Sequence, residues 1–253
     1  MADNLKFKVR SLYKSFGAHD VLKGVNLDVK KDSSLVILGG SGTGKSVLIK
    51  TMIGLLSPDS GSILYEGTES VNMPQKERLK ALQNFGYLFQ AGALFDSLTV
   101  QENIVFFAEK LYSLNKNDKR DLASKKLRSV GLSEKILDFY PSELSGGMQK
   151  RVSLARAICT DPKVIFFDEP TTGLDPIMSN VINDLIIKVR DELGATTITI
   201  THDMQSARAI GKEAAFLYEG SIIWSGSIDE IDDSGNPHFH QFINGNIEGP
   251  VIV

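Results

Sequence analysis

Eight consecutive residues, Gly39-Gly40-Ser41-Gly42-Thr43-Gly44-Lys45-Ser46, have the types and spacing to hold a triphosphate. Glycines let main-chain N–H groups close around phosphate oxygens because no Cβ intervenes. The pattern G-x-x-x-x-G-K-[ST] brings Lys45 to the β- and γ-phosphates and offers the Ser46 hydroxyl to Mg2+. A second group is the pair Asp168-Glu169, which ends an apolar run. Two adjacent carboxylates there are costly unless a cation or substrate uses them. That assigns Asp168 to Mg2+ and Glu169 to polarising an attacking water. Gln90 and His202 also follow short apolar runs, where an amide can face Mg2+ or water and an imidazole can face the γ-phosphate. Last, Ser145-Gly146-Gly147 is a serine N-cap followed by two bare glycines, a helix start suited to an anion.

These groups need particular elements behind them. Leu35 to Leu38 reads as a buried parallel strand entering the glycine loop. Val47 to Leu56 reads as the helix leaving it, stopped by Ser57-Pro58-Asp59. Phe85–Phe89, Lys163–Phe167 and Thr196–Thr201 are further strands, leading to Gln90, Asp168 and His202. Ligands of open α/β sheets bind at the carboxyl ends of strands, which predicts that the carboxylates and His202 share one sheet edge with the phosphate loop. Residues 5–13 and 21–29 alternate apolar and polar, as antiparallel strands do. Phe16, in the turn Ser15-Phe16-Gly17 between them, is an aromatic that can stack on a purine.

Elsewhere, 75–84 and 116–128 read as charged surface helices. A helix opened by Ser145 carries the apolar stripe Met148, Val152, Ala155 and Ile158. Another covers 177–193, a short one covers 204–210, and Glu219-Gly220 turns a hairpin between 214–218 and 221–224. Residues 91–114 are too apolar for a plain loop, so part is expected in the core and part on a partner-binding surface. The tail after Gly226 is acidic and then loop-like through Pro237 and Pro250. His238 and His240 have no further ligand nearby and make no metal site.

Composition narrows the classes. The 253 residues, 42% hydrophobic, suffice for one large domain or two small ones. A net charge of −3 gives no electrostatic footprint for nucleic acid. Cys159 is the single cysteine, so no internal disulfide forms, and a reducing compartment is expected. It reads as a small buried hydrophobe. No signal peptide is read at the N-terminus, and no run approaches the ~18 apolar residues of a membrane span. There is no internal repeat.

The phosphate loop, Gln90, Leu144-Ser145-Gly146-Gly147-Met148-Gln149, Val164 to Glu169, Leu174-Asp175 and His202 occur in the order of an ATP-binding cassette (ABC) ATPase, which the chain resembles over nearly its whole length. The resemblance implies an α/β P-loop NTPase with a mostly parallel core sheet, an antiparallel β-subdomain and an inserted helical subdomain. It implies a single ATPase domain over 1–253, its helical subdomain at about 94–160 and a C-terminal tail at about 235–253. Phe16 matches the aromatic stacked on adenine. Gly39 to Ser46 and Val47 match the phosphate site, and Gln90 the glutamine that senses Mg2+ and the membrane partner. Ser145, Gly146, Gly147 and Gln149 match the signature that binds the γ-phosphate held by the other cassette. Glu169 matches the catalytic base and His202 the switch histidine. ATP and Mg2+ are the implied cofactors. One cassette per chain implies a homodimer on the cytoplasmic face of the inner membrane, driving a permease whose coupling helix sits near Gln90 to Leu98. A small regulatory subunit on the helical subdomain is left open.

Leu88 to Ser97, Asp168 to Pro176 and the tail Asn236-Pro237…Gln241-Phe242…Gly245…Gly249-Pro250 are similar to ATPases of Mla- and Mce-type lipid transporters. That resemblance implies phospholipid transport between bacterial membranes. An importer ATPase for amino acids or another small solute is the second reading, and a non-transport ABC protein the third. Three positions depart from the wider pattern: Gly40 stands where proline is common, Ser46 where threonine is common and Phe16 where tyrosine is common.

Overall fold

The computed structural model describes residues 4–251. Strands β1 (Leu5–Phe16), β2 (His19–Lys30) and β3 (Ser34–Leu38) lead to helix α1 (Lys45–Ile53). Next come β4 (Ser60–Tyr65), β5 (Thr68–Glu69), α2 (Gln75–Leu82) and β6 (Phe85–Leu88). Helices α3 (Val100–Val105), α4 (Ala108–Leu111), α5 (Lys116–Ser129) and α6 (Gly146–Ala157) follow, then β7 (Val164–Asp168) and α7 (Pro176–Leu193). The chain closes with β8 (Thr196–Thr201), α8 (Met204–Ile210), β9 (Glu213–Tyr218), β10 (Ser221–Ser227) and α9 (Pro237–Asn244). It divides into two compact units. One is the chain up to Leu82 together with Thr196 onward; the other is Gln83–Ala195.

The first unit carries two layers of strand. β2, β1, β4 and β5 form an antiparallel sheet. In the other layer β3 pairs in parallel with β8 and β9, and β9 pairs antiparallel with β10. The alternation read in the sequence sets the inward face of the first sheet. Phe7, Val9 and Leu12 of β1 are fully buried, as are Val25 and Val29 of β2. β3 is buried on both faces, which is why it reads as an unbroken apolar run. Gly220, at φ 82°, lets the β9–β10 turn accept a hydrogen bond from Lys23 N at 2.8 Å on Gly220 O.

Two boundaries differ from those expected. The helix after the phosphate loop ends at Ile53, before Leu55 and Leu56, because Gly54 adopts a left-handed φ of 83° and returns its N–H to Lys50 O and Thr51 O. Leu55 is left half exposed. The tail, expected to be loop-like through Pro237, instead forms α9. Asn236 caps it by accepting from His238 N and Phe239 N, and Pro237 takes the first turn, where its missing N–H does no harm. Phe239 is fully buried and stacks on Phe216 of β9 at 4.6 Å between ring centroids. Phe16, expected in a turn, is the last residue of β1.

In the second unit β6 and β7 pair in parallel beside the helices. The apolar segment 91–114 separates as its composition demands. Val100, Ile104, Val105 and Ala108 are fully buried on α3 and α4, while Phe95 and Tyr112 stay 43% and 50% exposed. The fully buried Asn103 keeps the loop ahead of α3 in place: its amide accepts from Phe95 N at 2.8 Å and donates to Phe95 O, Leu98 O and Thr99 O. Cys159 is buried just beyond α6, and burial pushes its thiol up to about 12, so it packs as an apolar group. Among the described residues no helix is long and apolar enough to cross a membrane.

Candidate functional site

The first unit builds the phosphate loop at the carboxyl end of β3. A Cβ on Gly39 would lie 2.5 Å from Leu217 O, so only glycine lets the chain pass β9 there. Gly42 and Gly44 take positive φ of 76° and 101°. Gly40 differs: a Cβ there would meet only Thr43 Cγ2, at 3.7 Å, so packing does not require glycine where proline is common. Gly44 is the N-cap of α1 and makes no side-chain cap there, so the glycine loop runs directly into the helix start. Lys45 is 7% exposed and donates from Nζ to Gly39 O and Gly40 O, both at 2.8 Å. Ser46 and Val47 continue the first turn, half-buried.

Two further expected residues belong to this unit. In the parallel register Leu38 pairs with Thr201, which sets His202 level with Gly39 at the strand ends. His202 is exposed there. Gly44 backs onto Val21 and Leu22 of β2, so the β1–β2 hairpin abuts the loop. Phe16 ends β1 in that hairpin, 49% exposed, with Lys14 Nζ 5.4 Å from its ring centroid.

The second unit holds the acids. β7 is buried along its length and delivers Asp168 and Glu169, 5% and 7% exposed, at its carboxyl end. Glu169 has φ 48°, a left-handed conformation that costs a non-glycine residue about 1–2 kcal/mol. Its Oε2 accepts from Thr172 Oγ1 at 3.1 Å. Tyr87 donates its hydroxyl to Asp168 Oδ2 at 2.9 Å, from the position that pairs with Phe166. Burial first, then the neighbouring carboxylate, raises the Tyr87 pKa well above its usual range, so the phenol stays protonated and Asp168 is its acceptor. Lys150 on α6 donates to Gln90 O and is itself buried. Burial lowers its pKa, while the fields of Asp168 and Glu169 favour its charge.

Ser145 caps α6 as expected, accepting from Met148 N at 3.3 Å, and Ser145 and Gly146 are exposed. Gly147 leaves room for Met178 Cε, which would otherwise lie 2.5 Å from its Cβ. The Gln149 carboxamide donates to Pro141 O at 2.9 Å and Leu144 O at 3.3 Å, so it ties down the loop ahead of the helix. The phosphate loop, His202 and Phe16 thus belong to one unit, and Gln90, Ser145, Asp168 and Glu169 to the other. Tyr87, Lys150 and Arg156 are polar partners that the sequence reading passes over.

A glycine loop that ends in a helix start and a buried lysine, together with a buried strand ending in Asp-Glu, defines a P-loop NTPase of the cassette type. The sequence matches the ABC transporter family over residues 22–172. The chain belongs to that family, whose cassettes hydrolyse ATP to power transport. It is 39% identical over 96% of its length to the chloroplastic protein TRIGALACTOSYLDIACYLGLYCEROL 3 of Arabidopsis thaliana, covering 74% of that protein. It is 38% identical over 99% of its length to a probable ribonucleotide transport ATP-binding protein, Mkl, of Mycobacterium leprae, covering 72% of it. Identity to the intermembrane phospholipid transport ATP-binding protein MlaF of Haemophilus influenzae is 36%, over 99% of this chain and 94% of that one. The histidine/lysine/arginine/ornithine transport protein HisP of Salmonella typhimurium matches at 34%, over 98% and 100%. Among solved structures, the cassette MJ0796, a dimer bound to ADP and phosphate, superposes with a TM-score of 0.81 at 29% identity, covering 88% of this chain and 98% of that one. CbiO1 from Clostridium perfringens, part of the transporter complex CbiONQ, superposes at 0.82 with 31% identity, covering 92% of each.

Proposed function

We propose that this chain hydrolyses ATP as a homodimer to drive a membrane permease that moves phospholipid between bacterial membranes. The observation that carries the cargo is the match to the Haemophilus phospholipid protein over 99% of this chain and 94% of that one, the tail with α9 included. Relatives named for ribonucleotide and amino-acid transport match over similar lengths, so the cargo is tested separately from the ATPase. In this reading the chain is one ATPase domain with residues of about 94–160 as its helical subdomain and about 235–253 as its tail. It docks peripherally on the cytoplasmic face of the inner membrane, with the exposed Ala93 and Phe95 in the loop that meets the permease.

The chemistry follows from the side chains. Adenine stacks on Phe16, and the loop amides from Gly39 to Ser46 take the phosphates. Lys45 exchanges Gly39 O and Gly40 O for phosphate oxygens. Glu169 accepts the proton of a water as its oxygen bonds to the γ-phosphorus and the bond to the bridging oxygen breaks, leaving ADP and phosphate. His202 and Gln90 orient the γ-phosphate and that water. Ser145, Gly146 and Gly147 come from the second copy, since one chain holds one such helix start. In this reading the Ser46 hydroxyl and the Asp168 carboxylate would hold Mg2+, since both offer the hard oxygens this ion takes beside phosphate and water. When bound, it would supply positive charge to offset the phosphates. Tyr87 holds the Asp168 carboxylate in orientation for that task.

The cargo is tested by reconstituting the chain with the permease it co-purifies with. ATP should drive transfer of a fluorescent phospholipid between proteoliposomes, and Glu169→Gln should abolish it. ATP-driven uptake of histidine or a nucleotide, with no lipid transfer, would contradict the cargo.

A further inference from the structure

One face of α6 is turned to the main chain of the loop after β6. Lys150 donates to Gln90 O, while Arg156 donates from its two terminal nitrogens to Ala93 O and Gly92 O, each at 2.7 Å. Between them, Ser153 abuts Gly92 so closely that a Cβ there would lie 2.8 Å from its Oγ, and Gly92 holds a left-handed φ of 75°. The guanidinium also lies 5.9 Å from the centroid of Phe95, the exposed aromatic of the same loop. Three carbonyls of four successive residues are therefore gripped by two cations on one helix. Charge-assisted bonds of this kind are the strong ones, and they weaken sharply if the geometry changes.

We propose that Lys150 and Arg156 form a two-cation clamp that fixes the main chain of residues 90–93 to α6, so that Gln90 and the helix start at Ser145 move as one body. A push on the exposed loop at Ala93 and Phe95 then reaches Ser145 through α6. ATP ground-state binding rests chiefly on the phosphate loop of the other unit, so loosening the clamp acts on turnover rather than on affinity. The kinetic part rests on Gln90 acting at the γ-phosphate, as proposed above.

The test uses the purified full chain, with hydrogen exchange of residues 89–96 read beside steady-state ATP hydrolysis. Lys150→Met and Arg156→Met should each speed exchange in the loop at least about tenfold and lower kcat by about tenfold, with KM for ATP within about twofold. Lys150→Arg should recover most of both. Lys126→Met is the control, a buried cation on α5 paired with Asp161, and should change neither. Unchanged loop exchange in the clamp variants, or equal loosening by Lys126→Met, overturns the clamp. Loosened loops with full kcat in both Lys150→Met and Gln90→Ala would leave the clamp standing and remove Gln90 from the chemistry.

Discussion

Glu169→Gln should bind ATP as the unmodified chain does and turn over at no more than about one hundredth of its rate, the usual share of a general base being 10²–10⁴. The expectation rests on what Glu169 is in the fold. It is a buried carboxylate at the end of a buried strand, held in a left-handed backbone conformation. Such strain persists where the surrounding structure fixes it, and functional sites are where it collects. Glutamine has nearly the same shape and can still accept from Thr172 Oγ1, so packing survives the exchange. What is lost is the acceptor for a proton. The phosphate loop is untouched, so ATP remains bound and the two copies should stay closed over it. Equilibrium binding of labelled ATP, phosphate release and sedimentation together check this. Robust steady-state hydrolysis by the variant would remove Glu169 from the role of base.

Lys45→Ala should weaken ATP binding at least about 100-fold, since the ammonium is proposed to reach the β- and γ-phosphates and charge-assisted hydrogen bonds contribute about 1.5–3 kcal/mol each. The ammonium is nearly buried, and its acceptors include the two carbonyls at the head of the loop. A buried cation on main-chain carbonyls is readily exchanged for one on phosphate, where it meets full negative charge. Alanine leaves the glycine loop and the α1 start in place, so the loss measures the charge itself. Calorimetric titration with ATP reads it, and a melting temperature within a few degrees of the parent excludes unfolding. Retained tight binding would argue against the phosphate-loop assignment.

Much of this site was legible because its residues are consecutive. Gly39 to Ser46, Asp168-Glu169 and Ser145-Gly146-Gly147 each declare their chemistry in a few positions, and the strand or helix beside each has the required period. What stayed hidden depends on partners far away in the chain or without identity of their own. Lys150 and Arg156 bind main-chain carbonyls 60 to 64 residues away, and a carbonyl looks the same whichever side chain it carries. Tyr87 reaches Asp168 across 81 residues, through a strand pairing that no local pattern reports. The tail failed for a different reason. A polar tail through Pro237 and Pro250 reads as loop-like, although an asparagine followed by proline is also a helix start, and the buried Phe239 decides for the helix. At Gly54 the apolar period ran on into Leu55 and Leu56, and the left-handed glycine overrode it.

Everything proposed for turnover requires a second copy to complete each nucleotide site. The most direct measurement is the hydrolysis rate per chain across a dilution series, with mass read by sedimentation and Ser145→Arg run alongside. The rate should fall steeply as dimers dissociate, and the arginine variant should be inactive at every concentration. A rate per chain that stays constant where the protein sediments as a monomer, with Ser145→Arg fully active, would contradict the account.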